Sequence, residues 1–371
     1  MNFYWNHFSP INLGIDLAVL ITLPLFLGWM IRRSKSSASN QQPLRILTGL
    51  LLYSIAIVLI SALPGISTFL RAHILWTIGS VLFPIAIVIY SVRFKRYAVL
   101  LLIPGVLGIK YYAEVYEPYN LEVSRFETSS PALKTEIRVA HISDLQTDGI
   151  KPMHSEARHA LLEFDPDLIV FTGDVLNHKD LIPEVEGWLK SLNARHAYFV
   201  TGNVDDPLNL ATFEANTGFE VMDAHQEEIN IRGQRLGIIG LGLPDFRNDN
   251  LFAFLRGKSS SPYNILLSHY PDAMFLRKQR KIDILFAGHT HGGQIVIPGF
   301  GPIQTLSHVP RHIAAGGVHQ VDDLTVVVSR GLGMEGHIAP RVRIFCRPQL
   351  ILMTLKPETN PKPQIHADKH G

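Results

Sequence analysis

Apolar positions along the 371-residue chain change their spacing near residue 121. Before that point they come in blocks almost free of charge, at residues 11–31, 46–63, 74–92 and 97–109. An apolar stretch of about 18 or more residues can cross a bilayer as a helix. The first three blocks meet that length, whereas the fourth is short and carries Pro104. The pattern predicts an N-terminal membrane region over residues 1–116 with about four transmembrane helices. Asp16, the one carboxylate in the first block, is expected at the membrane interface. Beyond residue 121 the apolar runs are short, and polar connections marked by Gly and Pro separate them. EIRVAHISDLQTDG, PDLIVFTGDVLNH, AYFVTGNVDD, NILLSHYPDA and DILFAGHTHGG each read as a strand buried on both faces. SEARHALLEFDPD has helical spacing and supplies a crossover between the first two. These elements predict an α/β domain over residues 117–357, followed by a polar, Pro-containing tail, 358–371, expected to be disordered.

Charge refines the membrane part. Arg32, Arg33, Lys35 and Arg45 follow the first block, and Arg93, Lys95 and Arg96 follow the third, with only Arg71 and a histidine between the second and third. The positive-inside rule then puts the N-terminus outside. Four spans place the α/β domain on the outer face, and three would leave it in the cytoplasm, so the fourth block decides. MNFYWNHFSP has no basic stretch, so a cleaved signal peptide is not expected. A net charge of +2 argues against a nucleic-acid surface. The single cysteine, Cys346, excludes an intrachain disulfide and a thiolate metal cluster. An outer domain of this kind suits a bacterial envelope, hence an integral protein of a bacterial inner membrane.

The predicted strands share one chemical feature. Each ends in a side chain that can bind a metal: Asp144, Asp174, Asn203, His269, and then His289 with His291. A lone Asp at a strand end is usually a turn residue. In an open α/β sheet, however, ligands gather beyond the carboxyl ends of the strands, and five strands ending this way describe one site. GHTHGG is the sharpest signal, because two imidazoles at i and i+2 sit between small residues that allow close approach.

Taken in this order, the runs resemble the calcineurin-like metallophosphoesterase superfamily over roughly residues 136–355, with GHTHGGQ the most specific block. The lead-in YEPYNLEV and the late VVVSRGLG are similar to its membrane-linked bacterial phosphodiesterase branch. The resemblance implies a four-layered α/β/β/α sandwich following the helical transmembrane region. It also implies two divalent metal ions, drawn from Mn²⁺, Fe, Zn²⁺ or Mg²⁺, bridged by a carboxylate and by the hydroxide that attacks phosphorus. Carried over residue by residue, Asp144, Gln146 and His291 would hold the first ion and Asn203, His269 and His289 the second, with Asp174 shared. Oxygen and imidazole donors without thiolate suit those ions.

Two positions depart from the family pattern, which has histidine where Gln146 and Val204 stand. An amide oxygen is a weaker ligand than imidazole, so the first ion is expected to bind loosely. Valine cannot protonate a leaving group, a service typically worth about 10²–10⁴-fold. His178, Asp205, Asp206 and His312 are the possible substitutes, and the catalytic set is taken as Asp174, Asn203, Asp205 and His178. Asp245 and Arg247 in GLPDFRNDN, and Arg330 in VSRGLG, are expected to contact substrate. A leaving group that departs unprotonated favours a phosphodiester or pyrophosphate bond, in a phosphorylated small molecule or a lipid-linked substrate. The alternative is a catalytically impaired domain acting as a binding or scaffolding module, motivated by the same two substitutions. The N-terminal helices carry no charge constellation beyond Asp16, so an anchor is a simpler account of them than a sensor or transporter.

Overall fold

The computed structural model describes residues 68–242, 261–336 and 339–358, with a few helical positions between residues 22 and 56. Asp16, most of the first two apolar blocks, the Asp245–Arg247 segment and the tail lie outside the described residues. The chain divides into two compact units, residues 1–116 with 335–342 and residues 117–334 with 343–371.

In the first unit, a helix over Phe69–Phe94 ends where Lys95 turns left-handed at φ 53° and donates its N–H to Ser91. A second helix, Tyr97–Tyr119, runs ten residues past the apolar block that begins it. Pro104 is the third residue of its α-helical part, Leu102–Tyr111, and so falls in the first turn, where a missing N–H costs least. At 1.5 Å per residue each helix exceeds the roughly 30 Å of a bilayer core. These two are the described helices long and apolar enough to cross a membrane. The second shows protein cover over only 6 % of its most apolar stretch, and Leu101, Leu107 and Ile109 are exposed. Its one carboxylate within the first unit, Glu114, accepts from Trp76 Nε1 at 2.8 Å and pairs with Lys110.

The second unit is built on two six-stranded mixed sheets. One has the order β1 (Glu122–Ser130), β14 (Gln349–Pro357), β2 (Ile137–Ile142), β3 (Leu168–Phe171), β4 (Ala197–Phe199), β5 (Glu220–Val221). The other runs β12 (Gly317–Val321), β13 (Leu324–Val328), β9 (Ile284–Ala287), β8 (Tyr263–Ser268), β7 (Gln234–Leu241), β6 (His225–Ile231). β2 through β5 are parallel, as are β13, β9, β8 and β7, with antiparallel partners outside them.

Side-chain alternation in the strands sets the layers. Val139, Leu168, Val170 and Tyr198 point from the first sheet into a core shared with Ile238, Ile265, Leu267, Phe286 and Val327 of the second. The opposite face of the first sheet, with Ala140, Ile142, Ile169 and Phe171, packs on helices. These are α1 (Pro152–Phe164), α2 (Ile182–Lys190) and α3 (Leu210–Thr217). Met153, Ala157, Ala160 and Leu161 of α1 recur at helical spacing and form its buried stripe. On the far face of the second sheet, Leu266, Leu285 and Val326 meet a tight-turned helix, Pro271–Lys278, and one turn, Arg311–Ala314. That outer layer is thinner than the first among the described residues. The short apolar runs that read as doubly buried strands are completely buried in β2, β3, β4, β8 and β9, apart from one partly exposed position, Arg138.

Candidate metal centre

The loops beyond the carboxyl ends of β2, β3, β4, β8 and β9 bring Asp144, Asp174, Asn203, His269, His289 and His291 together. Donor atoms of Asp144, Asp174 and His269 all lie within 4.8 Å of one another, and all three residues are buried. His269 Nε2 stands 3.3 Å from Asp174 Oδ2, 3.2 Å from Asn203 Oδ1 and 3.1 Å from His289 Nδ1. On the other side of Asp174, its Oδ2 accepts from Gln146 Nε2 at 3.2 Å. Across from these, His291 Nε2 lies 3.4 Å from Asp144 Oδ1. Two sub-clusters therefore meet at Asp174 Oδ2.

The backbone is bent hard to achieve this. Asp144, Asp174, His289 and His291 all have left-handed φ, at 47°, 59°, 68° and 47°. Such a conformation costs a non-glycine residue on the order of 1–3 kcal/mol, and persists where the surroundings over-determine it. The surroundings here are specific. Asp205 accepts three backbone N–H groups, from Asp174 (2.8 Å), Val175 (2.7 Å) and Gly202 (2.7 Å). Asp144 receives the Ser143 hydroxyl at 2.5 Å and the His289 N–H at 3.0 Å. Two glycines leave room: a Cβ on Gly288 would lie 2.2 Å from Asp144 Oδ2, and one on Gly202 would lie 2.2 Å from Asp174 Oδ1.

The donor set fits metal ions. His269 Nδ1 donates to the Thr172 carbonyl at 2.8 Å, which turns Nε2 inward, and His289 Nε2 donates to the Leu306 carbonyl at 3.3 Å, which turns Nδ1 inward. Fixing a ring through its outer nitrogen is how imidazole ligands are oriented. No Lys or Arg side chain among the described residues pairs with Asp144 or Asp174. Burial, reinforced by the charge of Asp174 and opposed by His269, pushes Asp144 up to about 7. Burial lowers the tendency of His269 to protonate, yet the Asp174 carboxylate overcomes it and raises that histidine to about 10. A proton on His269 thus stands in for the cation these carboxylates require. Burial holds His291 neutral, well below its ordinary range, as a ligand must be. Gln146 Oε1 is buried without a hydrogen-bond partner, and a half-turn of the amide aims that oxygen at the cluster.

The other candidate residues have different surroundings. Asp205 is buried, and its carboxylate accepts backbone N–H groups of the loops and so positions them. His178 is largely exposed and lies 3.6 Å from Asp148. Arg330 pairs with Glu122 at 2.6 Å, and its side chain lies against Gly292. Asp206 is exposed, and His312 packs against His319 at 5.6 Å between centroids, with neither joining the cluster. Asp245 and Arg247 lie outside the described residues.

Two contributors carried no sequence signal. Tyr270 packs at a tilt of 50° against His289 with ring centroids 4.2 Å apart and donates its hydroxyl to Asn203 Oδ1 at 3.3 Å, on the open side of the centre. Arg343 is fully buried below it. Its guanidinium donates to the carbonyls of Arg330 (2.7 Å), Gly333 (2.5 Å), Cys346 (3.1 Å) and His291 (3.4 Å). It binds the GHTHGG loop to the chain after β13. Arg343→Met should strand those carbonyls and lower stability by on the order of 3 kcal/mol, with Arg343→Lys recovering part. Thermal melting of all three proteins measures it, and an unchanged Arg343→Met midpoint would remove the residue from this role.

Residues 137–293 match the calcineurin-like phosphoesterase family. That stretch contains Asp144, Gln146, Asp174, Asn203, His269, His289 and His291. The chain carries a calcineurin-like metallophosphoesterase domain. The metallophosphoesterase YkuE of Bacillus subtilis, itself uncharacterized, is 27 % identical over 263 residues, covering 66 % of this chain and 89 % of that one. The UDP-2,3-diacylglucosamine pyrophosphatase LpxG of Chlamydia muridarum is 24 % identical over 310 residues, covering 65 % and 91 %. The phosphodiesterase YaeI of Escherichia coli is 28 % identical over 92 residues, covering 24 % and 32 %. The metallophosphoesterase domain therefore shares its similarity with hydrolases of phosphorus esters and anhydrides, and the buried Asp144–Asp174–His269 group is where such a domain could hold a metal.

Proposed function

We propose that this chain is a membrane-anchored phosphoesterase that uses two divalent ions to hydrolyse a phosphodiester or pyrophosphate bond. One observation carries the reading. Two buried carboxylates that no Lys or Arg among the described residues pairs with meet three imidazoles, two of which, His269 and His289, are oriented through their outer nitrogens. Asp144, Gln146, Asp174 and His291 would hold one ion, and Asp174, Asn203, His269 and His289 the other. Bound there, the ions would polarise the phosphoryl oxygens and supply a nucleophile at neutral pH. The chain's own residues do the rest. The Val204 N–H fixes Asp174 Oδ1 at 3.1 Å. Asn203 and Tyr270 border the solvent-facing side and orient the incoming phosphate, with Asp245 and Arg247 as further proposed contacts.

No titratable side chain occupies position 204, so the reading favours leaving groups that depart as stable anions: a nucleoside phosphate or a second phosphate. The names of LpxG and YaeI, a pyrophosphatase and a phosphodiesterase, support the same two bond types. A lipid-linked substrate suits a chain with two helices fit to cross a membrane. With the fourth apolar block extended to 23 residues, four spans and an outer-face domain, in a bacterial inner membrane, form the proposed topology. The test is metal content of the full-length protein in detergent after Mn²⁺ loading and desalting. About two ions per chain and Mn²⁺-dependent hydrolysis of bis(p-nitrophenyl) phosphate are expected. A protein that takes up no ion and cleaves nothing would instead be a binding module.

A further inference from the structure

After GHTHGG the chain leaves the centre, forms a short hairpin of β10 (Val296–Ile297) and β11 (Gly301–Pro302), and returns. Both ends of this excursion stand at the metal-binding loop. Gly293 abuts Pro302 and Gln304, and the Leu306 carbonyl accepts from His289. The excursion's large apolar side chains point into solvent: Ile297 is 46 % exposed, Phe300 59 %, Ile303 54 % and Leu306 46 %. None of them belongs to the three buried cores. A cluster this apolar on a loop marks an interaction site.

Its charge identifies the partner. No Asp or Glu occurs from His291 to Val321, a stretch that includes Arg311, His308 and His312. The Arg311 guanidinium lies 4.5 Å from the Phe300 ring, and Asp272, an acid that faces the segment, is occupied by Ser307 and His308. Exposed aliphatic and aromatic side chains with a cation alongside suit the boundary between acyl chains and anionic headgroups. A protein partner matched by apolarity alone would leave the absence of carboxylates unexplained.

We propose that the hairpin, residues 294–306, dips Ile297, Phe300 and Ile303 into the surface of an anionic phospholipid bilayer, with Arg311 at the headgroup level. The proposal rests on the reading of a membrane-anchored enzyme, and adds that the catalytic domain itself touches lipid beside its metal centre. A phosphate at the bilayer surface then lies next to His289 and Tyr270, and the site selects substrates presented by a membrane over those free in water.

The test uses the full chain reconstituted in vesicles of phosphatidylglycerol and phosphatidylcholine. Single cysteines, Ile297→Cys and Phe300→Cys, carry an environment-sensitive nitrobenzoxadiazole label. Glu163→Cys on exposed α1 is the reference, and the wild type, whose Cys346 is buried, gives the background. Doxyl-labelled lipids should quench the hairpin labels several-fold more than the reference, and less strongly when phosphatidylglycerol is omitted. Equal quenching at the hairpin and at residue 163 would overturn the proposal. Separately, the Phe300→Asp, Ile303→Asp double variant should raise KM for a vesicle-embedded lipid pyrophosphate and leave bis(p-nitrophenyl) phosphate hydrolysis unchanged. A parallel loss on both substrates would count against lipid contact. A quenched label on a protein that hydrolyses nothing would sink the function and leave the membrane contact standing.

Discussion

Asp174→Ala is expected to reduce metal-dependent hydrolysis on the order of 10³-fold or more. Asp174 is the one carboxylate with an oxygen facing both sub-clusters, 3.2 Å from Gln146 Nε2 and 3.3 Å from His269 Nε2. Its loss would remove a donor from each ion and the feature that holds them together. A folding defect can be separated from a lost site, because the response to metal reports on the site alone. Without metal, burial opposes the charge on Asp174, protonated His269 overcomes it and lowers the carboxyl's pKa, and deleting the carboxylate leaves that histidine's charge buried with a partner lost. The metal-free variant should therefore melt below the metal-free wild type. Mn²⁺ raises the melting point of the wild type by mass action and should no longer raise that of the variant. Retention of more than about a tenth of wild-type kcat/KM would show that Asp174 is not a shared ligand.

The strands were legible because each is buried on both faces and so is written as an uninterrupted apolar run. The residues that gather at the candidate centre were legible because each directly follows such a run. Position along the chain fixed position in space: β2, β3, β4, β8 and β9 end on one side, so Asp144, Asp174, Asn203, His269 and His289 had to meet. What surrounds the ligands was less legible. Asp205 read as a candidate acid because a carboxylate beside Val204 looks available for chemistry. Its actual partners are backbone N–H groups, which leave no mark in sequence. Arg330 followed a strand as the ligands do, yet Glu122, over two hundred residues away, claims it. Arg343 sits in RVRIF, where the alternation suggests a surface strand, and burial against carbonyls of Arg330, Gly333, Cys346 and the distant His291 cannot be inferred from local pattern. The hairpin tells the converse story. In IVIPGFGPI the apolar pattern alone does not say which side chains face a core, and the fold leaves Ile297, Phe300 and Ile303 exposed.

Val204→His should restore what the sequence lacks, and the size of the gain depends on the leaving group. Val204 is half-buried, and its N–H donates to Asp174 Oδ1 at 3.1 Å, so a side chain grown from this position starts beside the shared carboxylate. The Asp205 clamp holds the loop by its backbone and is indifferent to the new side chain. For substrates whose alkoxide must be protonated as it leaves, an imidazole there can add up to about 10²–10⁴-fold. For p-nitrophenyl esters, whose leaving group is stable as an anion, the rate should hardly move. The sign of the pH dependence follows: the added rate needs the protonated ring, so it should be present at low pH and fade as pH rises through the ordinary histidine range near 6.5. Comparing ethyl and p-nitrophenyl phosphodiesters across pH measures both effects, and Val204→Asn controls for size and polarity. If the ethyl ester gains nothing, leaving-group protonation is already supplied from elsewhere, and Tyr270, on the open side of the centre, becomes the next residue to change. A gain confined to the ethyl ester would mean that Val204 tunes this enzyme toward leaving groups that need no proton, and so toward diesters and pyrophosphates.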